Sequence, residues 1–142
     1  MCIQTAKETL KALYPVSLRI DIADREYWWP AYDKVKSLLW DTYIDRYRYT
    51  LEMFDCDDFA LVLHAFVVQE RYRQIEKRKL SKDEWLPWAF GQVWGTKFQN
   101  EVKDHAVNIC VTSDKGVTLI EPQNDAIWSF NPANDILYAV RM

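Results

Sequence analysis

An α+β domain, with one long buried helix packed on an antiparallel sheet, is the fold class that this 142-residue sequence predicts. Three observations carry that expectation. Nine of the ten residues from Phe59 to Val68 are apolar, the mark of a buried helix. The second half breaks into short runs rich in Val, Ile, Trp and Tyr, separated by turn residues. Helical patterns come first and strand patterns second, and the length suits a single domain over residues 1–142.

The elements follow in order. Residues 1–13 and 26–40 read as helices, the second with Pro30 in its first turn and Tyr32, Val35, Leu38 and Leu39 at helical spacing. Between them "VSLRIDI" alternates as a short strand does. A long helix starts after Asp55, is apolar on all sides through Val68, and continues as the solvated "QERYRQIEKRK", so it is expected to run through the centre of the domain. "WAFGQVWG", "HAVNICVTS", "GVTLIEPQ", "AIWSF" and "ILYAVRM" then read as strands, with "SDKG" and "NPAND" as turns.

Composition excludes several classes of function. A net charge of −3 without a basic stripe argues against a nucleic-acid partner. No stretch approaches the roughly 18 apolar residues of a membrane span, and the first fifteen residues lack an apolar signal core, so no membrane partner and a cytoplasmic location are expected. Cys2, Cys56 and Cys110 are far apart and odd in number, which speaks against a disulfide framework or a cysteine-rich zinc site.

The chemistry concentrates at "FDCDDFA". Cys56 falls at a helix N-terminus, where free N–H groups and the helix dipole favour a thiolate. Asp55 fits the N-cap and Asp58 the N3 position, so capping alone explains both carboxylates. Three aspartates beside a thiol also oppose its ionisation, unless they turn away or a hard divalent cation offsets them. Cys56 is therefore either a reactive thiolate or a small core residue behind a helix cap.

Two histidines are available as a base. His64 lies eight residues after Cys56 on the same helix, roughly 12 Å along its axis, and reads as a packing residue. His105 opens a strand that ordinary packing can bring over the helix start, giving a Cys–His pair. Glu121 follows one hairpin later, folded back towards His105 by the turn at "SDKG", and is either the acid that orients His105 or a polar hairpin end. Cys110, five residues after His105, belongs on the opposite sheet face as a buried residue.

Taken in that order, "FDCDDFA", "HAVNI" and "G…IEPQND" resemble the C-terminal domain family of the Marasmius oreades mushroom agglutinin, with its bacterial and phage relatives, over roughly residues 43–128. The resemblance implies a papain-like, calcium-dependent cysteine protease with Cys56 as nucleophile, His105 as base and Glu121 as the residue orienting it. It further implies Asp57, Asp58, Glu121 and Asn124 as the metal environment, with calcium as the ion. No glutamine precedes Cys56 in "YIDRYRYTLEMFDC" to serve as an oxyanion donor, and no residues are left over for a sugar-binding domain.

The leading expectation is thus a thiol hydrolase, a peptidase acting on a peptide or protein substrate. A transglutaminase-like acyl transferase and a cell-wall amidase use the same groups. The alternative of another class is a catalytically inactive papain-like binding protein that uses the aromatic stretches "YWWPAY" and "DEWLPWAF" as interface anchors.

Overall fold

The protein is described by a computed structural model covering residue 8, residues 19–77 and residues 80–142. Apart from Glu8, the helix expected over residues 1–13 lies outside the described residues. Strand β1 (Arg19–Asp21) leads to helix α1 (Tyr32–Asp41) and helix α2 (Cys56–Glu76). Strands β2 (Phe90–Thr96), β3 (Asp104–Thr112), β4 (Gly116–Glu121), β5 (Ala126–Ser129) and β6 (Ile136–Arg141) follow.

The six strands form one sheet in the order β1-β6-β2-β3-β4-β5. Only β1 and β6 run parallel; every other neighbouring pair is antiparallel. Alternation along the strands separates two cores. Val93, Val107, Ile109, Leu119 and Val140 point to one face, where Ile20 of β1 and Trp128 of β5 also pack. Those two strands are opposite edges of the sheet, so this core reaches from one edge to the other. Phe90, Cys110 and Ile120 point to the other face and meet α1 and α2 through Val35, Leu39, Phe59, Leu63 and Val67.

Two expectations are corrected by this architecture. The domain is dominated by a six-stranded sheet with two α-helices among the described residues, not the papain-like fold that the resemblance implied. Helix α2 is not buried all round: Phe59, Ala60, Leu63, Val67 and Arg71 form one buried stripe at three- and four-residue spacing, while Leu61, Val68 and Tyr72 are exposed. The helix lies on the sheet instead of passing through it, so one stripe is all that packing can cover.

Helix α1 begins at Tyr32, later than expected, because the preceding residues are used in extended form. Trp28 bridges to Trp88, with its N–H on the Pro87 carbonyl at 2.7 Å and its carbonyl accepting from Ala89 at 2.8 Å. Backbone committed to that bridge cannot also close a helical turn.

Candidate functional site

The site is built where β3 and β4 part. Their last paired residues are Asn108 and Ile120, so the β4-facing edge of residues 104–107 is open. The N-terminus of α2 fills that opening. Its start is fixed by a capping box, in which the Asp55 N–H donates to Asp58 Oδ2 at 3.2 Å and the Asp55 side chain accepts from the Asp58 backbone. Cys56, the first residue of the helix, then faces the His105 side chain and the Ala106 backbone, which both lower its thiol pKa.

The register brings Glu121 to the other side of the imidazole. Glu121 stands one residue beyond the Asn108–Ile120 pair and lies diagonally across from His105 on the same sheet face. His105 Nε2 and Glu121 Oε2 are 2.5 Å apart, with the two side chains only 11% and 13% exposed. The second Glu121 oxygen accepts the Gln123 N–H at 3.2 Å, which fixes the carboxylate plane. Nε2 is occupied by Glu121, so Nδ1 is the ring nitrogen left for Cys56.

Electrostatics follow from these contacts. The hydrogen bond to His105 is the main cause holding the Cys56 thiol below its ordinary pKa, against burial and the charge of Asp55, which raise it. Burial on its own would lower the His105 pKa, but hydrogen bonds to Cys56 and Glu121, together with their charges, push it up to about 9. Both shifts favour the same state, a thiolate facing an imidazolium. Cys110 is the opposite case: it is fully buried in the helix-side core, and desolvation raises its pKa far above the usual range. His64 is held below its ordinary pKa by burial and by Arg141, and its ring lies 6.1 Å from that of Phe90.

One buried amide ties the site together. Asn108 is wholly buried and its Nδ2 donates to the Ala60 carbonyl of α2 at 2.8 Å and to the Gly91 carbonyl of β2 at 3.0 Å. It therefore pins the helix carrying Cys56 to the strand carrying His105. Sequence reasoning passed over this residue, although a lone amide within the apolar run "HAVNICV" was the signal that could have found it.

The four residues expected around a metal each have neighbours of their own within the protein. Asp57 sits beside Asp55 and Cys56, whose candidate ligand atoms all lie within 4.8 Å of one another. Asp58 is engaged by the cap, Glu121 by His105 and Gln123, and Asn124 Oδ1 by the Ala126 N–H at 2.9 Å. Asp55 and Asp57 nonetheless fit a hard cation: Asp55 Oδ1 is buried with no hydrogen-bond partner, and the Asp57 carboxyl is raised by its hydrogen bond to Asp55, by burial and by the charge of Asp55. Nearby on the β4–β5 turn, Asp125 Oδ1 is also buried without a partner, and burial with the charge of Asp45 lifts its pKa to about 6.

A cleft opens on the Glu121 side of His105, walled by Gln99, Gln123 and Asn124 and floored by Phe98 and Trp128. Its rim is conformationally unusual, since Lys97, Gln99 and Asn100 all hold left-handed backbone. Glu101 and Lys103 close it as an ion pair at 2.5 Å.

Comparison with known proteins gives a family and a fold. A family model described as "Agglutinin C-terminal" matches residues 27–127. A solved structure titled "PSL1a-E64 complex" superposes with a TM-score of 0.77 at 23% identity, over 100% of this chain and 51% of that one. The Polyporus squamosus lectin, bound in its structure to a human-type influenza-binding epitope, Neu5Aca2-6Galb1-4GlcNAc, superposes with a TM-score of 0.67 at 22% identity, over 95% of this chain and 48% of that one. The chain spans about half the length of these two matches. No curated protein matches it.

These findings correct the functional expectation. The family is one of agglutinins, and the solved matches include a lectin holding a sialylated glycan, so they point to carbohydrate-binding proteins and not to a papain-like cysteine peptidase. The expected peptide or protein substrate falls with it, as do the acyl-transferase and papain-like binding-protein alternatives. Among the described residues no helix is long and apolar enough to cross a membrane.

Proposed function

Because the chain belongs to the agglutinin C-terminal family, we propose that it is an agglutinin-family domain carrying a reactive thiol centre, in which His105 and Glu121 hold Cys56 as a thiolate. The observation that carries this reading is the 2.5 Å contact of His105 with Glu121 on one side while Cys56 occupies the other. His105 takes the thiol proton through Nδ1, and Glu121 holds the ring in place and stabilises its positive charge. A cytoplasmic location belongs to the proposal, since a reducing compartment keeps Cys56 as a free thiol. Substituting His105→Ala and measuring the rate of Cys56 alkylation by iodoacetamide tests it: a rate equal to wild type sinks the reading.

A divalent cation, calcium by the hardness of the donors, is proposed at Asp55 and Asp57. When bound it would neutralise the carboxylates that oppose the thiolate. Added calcium should then raise the thermal unfolding midpoint of the wild type and leave Asp57→Asn unchanged. Equal shifts in both proteins count against the site.

Carbohydrate binding is the second reading, supported by the family, by the lectin match and by the cleft beside His105. Amide side chains both donate and accept, as hydroxyls require, and Trp128 offers a ring surface for a sugar face. Neutral oligosaccharides should move the Trp128 indole resonance in wild type and less in Gln123→Ala. An unmoved Trp128 resonance overturns this reading.

A further inference from the structure

A second concave region lies at the other end of α2, about 22 Å along the helix from Cys56. Two cavities, of about 410 and 560 Å³, share Lys34, Glu70, Gln74 and Trp88 and so form one trough between α1 and α2. Its floor is rigid, because Trp28 and Trp88 are joined by the backbone bridge described above.

Charge in the trough is unevenly used. Glu70 is bonded to Arg73 at 3.2 Å, and Glu84 accepts from the backbone and hydroxyl of Ser81. Arg71 is only 7% exposed, yet no carboxylate lies within ion-pair distance of it or of Lys34 among the described residues. Its guanidinium is held by the Leu86 carbonyl at 2.7 Å, by the Glu84 carbonyl and by Gln74 at 3.2 Å, over the ring of Trp28 at 5.8 Å. Those bonds use three of its five N–H groups. A buried cation normally has a counter-charge, and the one that acts on Arg71 here is Glu84, which makes no ion-pair contact with it.

We infer that this trough is a binding site for a sugar bearing a carboxylate, the ring lying along Trp28 and the carboxylate meeting Arg71 and Lys34. The sugar assignment follows from the rest of the lining. Gln74 and Ser113 offer polar partners along the trough, which hydroxyls satisfy and a flat aromatic acid leaves unpaired. The site is independent of Cys56 and of the cleft at Trp128.

Methyl β-D-glucuronide and methyl β-D-glucoside, identical but for the carboxylate, are the probes, with indole N–H resonances as the readout. The glucuronide should shift the Trp28 and Trp88 resonances, and the glucoside should bind about tenfold more weakly for want of the charged contact. Lys34 is exposed, so Lys34→Ala keeps the fold; it should weaken glucuronide binding, while Cys56→Ser leaves it unchanged. Equal binding of the two glycosides, binding insensitive to Lys34→Ala, preference for benzoate over glucuronide, or no shift at either tryptophan would each overturn the assignment.

Discussion

His105 Nε2 and Glu121 Oε2 meet at 2.5 Å across a diagonal of the β3–β4 pair, both almost wholly out of solvent. The carboxylate both aims the imidazole at Cys56 and favours its charged form. Glu121→Gln keeps an acceptor but removes the charge, so the His105 titration midpoint should fall from about 9 by roughly 1 to 3 pH units. NMR titration reads this directly, because His64 supplies the only other imidazole signal.

The same contacts make stability depend on pH. His105 has a folded pKa raised above its ordinary 6.5, so its contribution is fully present below pH 6.5 and is lost as the pH rises towards about 9. Cys56 acts in the opposite sense: its lowered folded pKa adds stability above the ordinary thiol pKa, and that gain disappears as the pH falls through the folded value. In a Cys56→Ser background the Cys56 contribution to the His105 pKa is lost as well, so urea midpoints should decline from pH 6.5 upwards and level off below pH 9, unless His105 is replaced by Gln.

Asn108→Leu removes the two bonds from the sheet to the Ala60 and Gly91 carbonyls while preserving volume. It should cost about 1–3 kcal/mol in urea unfolding. It should also slow Cys56 alkylation in the folded protein. Thr118→Val, which loses a buried bond to the Cys110 carbonyl and no bond to α2, should be destabilised with the alkylation rate unchanged.

Asp125 has the reverse linkage to a paired carboxylate. Burial and the charge of Asp45 raise its pKa to about 6, so its ionisation opposes folding, and stability is lost as the pH rises from about 4 to 6. Asn tolerates the left-handed backbone at this position, so Asp125→Asn should stabilise the protein at pH 7 in the absence of divalent ions and have little effect at pH 3.5. Thermal unfolding at the two pH values checks the sign.

Much of the site was legible because the relevant residue types are scarce. With two histidines, one of them on the helix of Cys56, only His105 was free to reach the thiol, and the "SDKG" turn set Glu121 two strand residues from it. The strands were legible too, because alternation and turn residues act locally. The face burial of α2 was not: Leu61, Val68 and Tyr72 complete an apolar pattern that the one-sided sheet leaves exposed. Nor could spacing separate Asp55 and Asp57 from Asp58, since capping geometry decides which carboxylate oxygens remain free. The Trp28–Trp88 bridge joins residues 60 positions apart, a distance at which local pattern carries no information.

On the proposed function, His105 and Glu121 hold Cys56 as a thiolate. The most direct measurement is the pH profile of its alkylation by iodoacetamide, with the labelled cysteine located by mass spectrometry. Rapid labelling of Cys56 should persist well below pH 7, with none of the buried Cys110 and with loss of the low-pH reactivity in His105→Ala. A profile for Cys56 that rises only around the ordinary thiol pKa, the same with and without His105, would contradict it.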